Sequence, residues 1–468
     1  MRLDGVMRLL EARQRLLSQA ECEALAARAR QAAVGGGKTS VNVDSWWAGA
    51  LRWGRNRVRL ASDRRDVSIS VVRAIHEHAA GRASTNQIDD VSLVNLVRAA
   101  ERDARLFGVR ALPEDLPLHA PWFTFPATRI WSDATYDLTA EERGAAARAL
   151  LEPARAAGMQ SAGFLEVRAR EWGGFPDGGQ PCYARQTLAQ CSMTVRDPEE
   201  TGSGWAGATS FDWRAIDTQA LAKRALEKCL ASRHPVALEP GRYTVVLEPQ
   251  AVYDLVVRIT WSREEAEHGR GPFVAGADGA LGIVRTKLGL KVVDERITIS
   301  HDPADPELGV MPFTHETGEP VRPVTWVDHG VPTMLSDRRE YALTTRTDNL
   351  GTPDSRSFRM SGGTTTVDEM VASTKRGLLV TRFSNVNVLD RSTLMATGLT
   401  RDGVWLIENG KITKAVKNFR FTESPLFVLN QVEQLGPPVP VFGLPGAPAI
   451  VPPLKVRDFS FTSLADAV

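Results

Sequence analysis

Three acid–histidine neighbours, His301-Asp302, His315-Glu316 and Asp328-His329, lie close together in the chain. An imidazole beside a carboxylate is the raw material of general acid–base catalysis or of a metal site. Adjacency alone does not make a dyad, because neighbours along a strand point to opposite faces. Pro303, Pro306, Pro312, Pro320 and Pro323 divide the region into turns and short strands. A site built from His301, His315 and His329 would therefore have to be assembled by the fold. His76-x-His78 differs, since two rings at that spacing on a strand share a face and could share a metal. No Cys, Asp or third His nearby completes the set, so a solvated or structural pair is the better reading. Gly37-Lys38-Thr39 resembles the end of a phosphate loop. The glycine required five residues earlier is Ala32, and a helix precedes where a strand should, so a helix C-cap explains these residues better. Arg263-Glu264-Glu265-Ala266-Glu267-His268 reads by pattern as the solvated face of a charged helix.

Elements that could carry these groups are marked by their punctuation. Ser18-x-x-Glu21 is a capping box opening a helix to Ala33, stopped by Gly35-Gly36-Gly37. Strand-like runs follow at Ser40–Asp44, Ala50–Leu60 and Val67–Ile75, then helical text at Asp90–Leu106 and a proline-marked loop over Leu112–Phe125. Thr139-x-x-Glu142 opens a helix to Ala157, ended by Gly158, and Asp217 caps another whose apolar stripe is Leu221, Ala225, Leu226, Cys229 and Leu230. At His234–Arg242 helix gives way to a strand, Tyr243–Leu247. Beyond it the text is rich in Thr, Val, Gly and turn dipeptides, with helical patterns only around Pro249–Glu267 and Val367–Lys375. The fold class expected is α+β: a mixed α/β domain over residues 1–234, then a largely antiparallel β-rich domain over 235–468. Prolines 437, 438, 440, 445, 448, 452 and 453 predict that the tail beyond Gly436 runs extended along the surface.

Composition narrows the partners. With Lys+Arg 57 against Asp+Glu 56, the net charge of +1 gives no field that would draw nucleic acid or an anionic membrane. No run approaches the ~18–20 apolar residues needed to cross a bilayer. MRLDGVMRLLEARQRLL lacks an uninterrupted apolar stretch, and Cys22, Cys182, Cys191 and Cys229 show no CxxC spacing. Reduced thiols and a cytoplasmic location are therefore expected.

The segment Thr397–Ser424, TGLTRDGVWLIENGKITKAVKNFRFTES, is the most readable in the chain. Asn409-Gly410 tolerates φ > 0 at both centres of a type I′ turn, so it predicts a two-residue hairpin. Glu408 then faces Lys411, Ile407 faces Ile412, Leu406 faces Thr413, and Trp405 faces Lys414 in a cation–π pair. Asp402-Gly403 predicts a further turn at the entry. The wording of this segment resembles the C-terminal region of the TldD/PmbA family of peptidase-related proteins. Ile216–Pro249 is similar to that family's helix-to-strand junction, and Arg376-Gly377-Leu378-Leu379-Val380-Thr381 to one of its strands. The resemblance spans roughly Val41 to Phe442 and is strongest from about residue 216.

That resemblance carries implications for the charged segment. Catalytic members bear H-E-x-x-x-H on a helix, with a cysteine near the C-terminus as a further zinc ligand and the motif Glu as general base. Aligned on it, Arg263 stands at the first histidine, while Glu264 and His268 match the remaining letters. A guanidinium stays protonated and has no lone pair to give a metal, and no cysteine follows Cys229. The resemblance thus implies no zinc or other cofactor here, with Glu264 as a remnant catalytic letter and His268 as a remnant ligand. The chain resembles the family's metal-free, TldE-like (PmbA) subunit, which implies a zinc-bearing TldD-like homologue as partner in a dimer or larger assembly, and a peptide as substrate. Two alternatives stay open: a homo-oligomeric peptide-binding or scaffold protein without proteolysis, and a replacement site around His301, His315 and His329.

Overall fold

The computed structural model describes residues 16–76, 79–107, 124–277, 284–314, 318–337, 341, 345 and 356–465. Both capping boxes form as their spacing predicts. Ser18 opens α1 (Gln19–Gln31), with its side chain accepting from the Glu21 N–H. Between α1 and α2 (Asp90–Phe107) run β1 (Lys38–Gly54), β2 (Arg57–His76) and β3 (Ala79–Thr85). The runs Ser40–Asp44 and Ala50–Leu60, expected as separate strands, are not separate. β1 continues through Ser45–Gly49, and the chain reverses at Arg55-Asn56, with φ of 50° and 57°, inside the second run. Arginine is not a turn signature, which hid a type I′ reversal whose twist matches its flanking strands.

Next come α3 (Asp133–Tyr136), α4 (Ala140–Ala156), opened by the Thr139–Glu142 box, β4 (Gln160–Phe175), β5 (Cys182–Arg196), β6 (Ser203–Ser210) and α5 (Thr218–Ala231). Strand order is β3-β2-β1-β4-β5-β6, with every neighbouring pair antiparallel. One face is covered by helices: α1 and α2 pack on Val41, Val43, Ile69 and Val71, while α4 and α5 pack on Trp47, Leu165, Val167 and Cys191. Asp217 caps α5 through the N–H groups of Gln219 and Ala220. Its buried stripe is Leu221, Ala222, Ala225 and Cys229, so Leu230, expected inside, lies exposed. All four cysteines are free and buried, and burial pushes each thiol up to about 12.

Downstream, β7 (Gly241–Leu247), α6 (Pro249–Val256), α7 (Arg263–Glu267), β8 (Val274–Ala277), β9 (Val284–Thr286), β10 (Ile299–His301), β11 (Val324–Asp328), β12 (Val331–Pro332) and β13 (Phe358–Met360) precede α8 (Val367–Ala372). Then follow β14 (Arg376–Asp390), β15 (Met395–Glu408), β16 (Lys411–Ala415), β17 (Phe419–Glu423), α9 (Pro425–Asn430), β18 (Val432–Leu435), β19 (Val439–Pro440), β20 (Ala449–Val451) and β21 (Leu454–Leu464). One sheet runs β14-β7-β21-β17-β15-β16, and β14 also pairs with β15, so five strands close into a ring. Phe383, Phe419, Phe421, Phe459 and Phe461 pack against one another in its core. A second sheet runs β12-β11-β10-β13-β20-β19. The pairing is mostly antiparallel; β7–β14 and β13–β20 are parallel. The architecture is α+β.

The tail corrects the sequence reading. Beyond Gly436 it is extended, but β20 is fully buried and β21 lies between β7 and β17 in the ring. The prolines misled because Pro452 and Pro453 precede β21, which itself contains none. The Asn409-Gly410 turn forms with φ of 50° and 78°, and Glu408 faces Lys411 and Ile407 faces Ile412. A bulge then shifts the register, so Leu406 pairs with Lys414 and Trp405 with Ala415. The Trp405–Lys414 pair does not form, and the indole instead donates to the Ala231 carbonyl at 3.0 Å. Asp402-Gly403, expected as a turn, lies within β15, with φ of 58° and 131°. A positive φ in a strand marks a bulge as readily as a turn.

Candidate functional site

The charged segment begins where α6 ends and the chain has turned through Val257–Trp261. Ser262 caps α7 by accepting from the Glu265 N–H at 3.2 Å, and Arg263 N–H donates to the Ser336 carbonyl at 3.0 Å. The helix covers only Arg263–Glu267, and His268 is its C-cap. A single turn suffices to put residues i and i+4 side by side.

Arg263 Nε donates to Glu267 Oε1 at 2.7 Å, and the Tyr341 hydroxyl donates to Glu267 Oε2. A second guanidinium nitrogen lies 3.9 Å from the buried Asp337 carboxylate. Burial works to raise the Glu267 carboxyl, but the hydrogen bonds from Tyr341 and Arg263 outweigh it and hold the group below its usual range. The Glu267 bond raises Arg263 further. Burial, with the same carboxylate, pushes the Tyr341 phenol up to about 12. Every shift favours a charged Arg263–Glu267 pair with a neutral phenol beside it.

The other two letters stand apart from that pair. His268 is exposed; its Nδ1 lies 2.7 Å from the Glu264 carbonyl, and its ring centroid 5.9 Å from that of Tyr341. Glu264 is half-buried on the same turn, and its neighbour Glu265 reaches Arg391 at 3.3 Å. These side chains do not make a zinc donor set: Arg263 offers no lone pair, and its charge is spent on Glu267 and Asp337. No group of three His, Cys, Asp or Glu side chains able to hold a metal occurs among the described residues. Sequence reasoning missed Glu267, Asp337 and Tyr341. The Arg263–Glu267 spacing was legible as an i,i+4 pair; the other two arrive from about seventy residues downstream by tertiary packing.

His301 and His329 sit in different surroundings. His301 is buried at the end of β10, its Nδ1 2.9 Å from the Ser357 carbonyl. His329 is exposed in the β11–β12 turn with φ of 44°, a position that serves the reversal. His315 and His78 lie outside the described residues, and His76 ends β2. The Gly37 region turns its carbonyls inward: Arg73, 1% exposed, donates to the carbonyls of Val34, Gly35, Gly36 and Lys38 and pairs with Glu101. A phosphate loop needs the opposite polarity, N–H groups facing an anion. The C-cap of α1 is Ala32, so these glycines form the following bend rather than the cap itself.

Residues 240–463 match the family model described as the PmbA/TldA metallopeptidase C-terminal domain. No curated protein matches the sequence. Solved structures share the fold over nearly the whole chain. A protein from Thermotoga maritima described as a candidate modulator of a DNA gyrase aligns with a TM-score of 0.79 at 14% identity, covering 94% of this chain and 99% of that one. One from Bacteroides thetaiotaomicron, described in similar terms, aligns at 0.79 and 18% identity over 96% and 100%. TldE from Thermococcus kodakarensis aligns at 0.79 and 16% identity over 94% and 99%. Among the described residues no helix is long and apolar enough to cross a membrane.

Proposed function

For a chain whose residues 240–463 belong to the TldD/PmbA family of metallopeptidase-related proteins, we propose the role of a subunit without a zinc site of its own. It completes a peptide cleft together with a zinc-bearing homologue. The observation that carries this reading is the state of Arg263. At the first position of the zinc motif stands a cation paired with Glu267 and Asp337, the opposite of an electron-pair donor. Glu264 and His268 are then remnants of the motif rather than acting groups. A sheet edge supplies the second support. β16, exposed over Lys411–Lys414, ends the strand-ring sheet, so an extended peptide can add there as a strand through main-chain hydrogen bonds, independently of its sequence. Proteolysis then belongs to the pair of subunits, in the cytoplasm.

The test is reconstitution. The chain is co-expressed with a zinc-bearing homologue, and peptide cleavage is measured for each protein alone and for the mixture. The expected result is a stable complex and cleavage that depends on both chains. A chain that forms only a homodimer, and leaves the homologue's cleavage unchanged, would sink the reading in favour of a homo-oligomeric peptide-binding scaffold.

A further inference from the structure

At the seam between the helix-covered sheet and the strand ring lies an open cavity of about 490 Å³ that collects arginines. Arg258 follows α6, Arg382 comes from β14 and Arg401 from β15; Asp254 and Asp402 share the same walls with Ser384. Bulges shape it. β14 slips register between Ser384 and Asn387, where Asn385 has φ of 51°, and β15 carries the Asp402 bulge.

The charges do not close among themselves. Asp254 has both oxygens engaged, one by the Gln250 side-chain amide at 3.0 Å and the other by the Phe383 N–H at 2.9 Å. Asp402, 1% exposed, gives one oxygen to the Ser203 hydroxyl at 3.0 Å. Its other oxygen lies 3.5 Å from Arg382 and 4.0 Å from Arg401, both too long for good hydrogen bonds. The Arg382 guanidinium carbon lies 4.5 Å from the Trp205 ring centroid, a cation–π contact that satisfies none of its N–H groups. Its Nε and the Ser384 hydroxyl oxygen are buried with no hydrogen-bond partner among the described residues. A buried donor without a partner is costly, and a native structure that keeps two of them beside one cavity calls for an acceptor.

Three guanidinium groups against two carboxylates leave one positive charge over. That suits one monoanion, and a dianionic phosphate would crowd Asp254 and Asp402. The planar fork of a guanidinium matches a carboxylate edge to edge. We propose that this pocket binds the carboxylate of a peptide, held by Arg382 and Arg401 with Ser384 as a further donor. The peptide as its source rests on the function proposed above; the carboxylate chemistry rests on the pocket. A ligand there would touch strands of both halves of the chain, tying occupancy to their alignment.

The test uses the full chain alone, so it does not depend on any homologue. Calorimetric titration compares three peptides: N-acetyl-trialanine with a free C-terminal carboxylate, its C-terminal amide, and an amidated analogue carrying one Asp side chain. The expected result is that a carboxylate-bearing peptide binds at least about tenfold more tightly than the plain amide, and which one does so tells C-terminus from side chain. Arg401→Gln, at a partly exposed position that leaves the core intact, is expected to remove that preference, and Arg382→Gln likewise if circular dichroism shows it folded. Equal binding of all three peptides, or a preference that survives Arg401→Gln, overturns the proposal. Loss of complex formation with a homologue while the preference persists would count against the proposed function alone.

Discussion

Arg263 and Glu267 stand one helical turn apart with Nε and Oε1 at 2.7 Å, the pair on which the proposed absence of a zinc site rests. The pair is orientated against the helix dipole, with the cation toward the N-terminus, so its stability comes from Tyr341 and Asp337 rather than from the helix. Arg263→His would place a second imidazole five residues before His268, yet no cysteine follows Cys229 in the sequence. The expected outcome is substoichiometric zinc by metal analysis and a loss of about 1–2 kcal/mol in denaturant melts, from the carboxylates left without their cation. One zinc per chain in this variant would refute the account of the segment.

The last strand makes a second expectation. Phe459 is 1% exposed and contacts Phe383, Phe421 and Phe461 inside the ring. Phe459→Ala should cost about 3–5 kcal/mol in urea unfolding, as for any large buried aromatic. A surface tail would give a change near zero.

Thiol chemistry gives a third. Cys22, Cys182, Cys191 and Cys229 are buried with thiols pushed up to about 12 by desolvation, so little thiolate exists near neutrality. A chromogenic disulfide reagent should find almost no reactive thiol in the native protein and all four after denaturation. Rapid reaction of any one in the folded chain would contradict its burial.

Asp254 supplies a pH dependence. Burial raises its carboxyl from 3.8 to about 6, against the pull of Arg382 and the hydrogen bonds from Gln250 and Phe383. Because the folded pKa lies above the unfolded one, its contribution is full below about pH 4 and is lost as pH rises through about 6. Asp254→Asn removes that loss, so the melting temperature of the variant relative to the parent should climb between pH 4 and pH 7. A difference that stays flat or falls across that window would show that the group is not held protonated by the fold.

What could be read in advance was local and carried by punctuation. Ser18–Glu21 and Thr139–Glu142 set two helix starts, Asp217 a third, and Asn409-Gly410 a hairpin, because a cap or a two-residue turn is decided by side chains within a few positions. Errors gathered where the same signals have two uses. Asp402-Gly403 reads as a turn but forms a bulge in β15, and the register slip beyond Ile407 separates Trp405 from Lys414. Proline density hid β21, since a strand's place in a sheet depends on partners two hundred residues away.

The sequence by itself determined the α+β class, the reduced cysteines and that the Arg263 guanidinium has no lone pair to give, all of which are properties of residue types and near neighbours. Only the tertiary structure decided that Arg263 is answered by Asp337 and its partner Glu267 by Tyr341, that the tail closes the ring, and that Arg382 and Arg401 meet over Asp402. The reason is one of range. Caps and turns are settled within a few residues of chain, whereas ion pairs and sheet order are settled by which segments share a buried surface, and that is fixed only when the whole chain has collapsed.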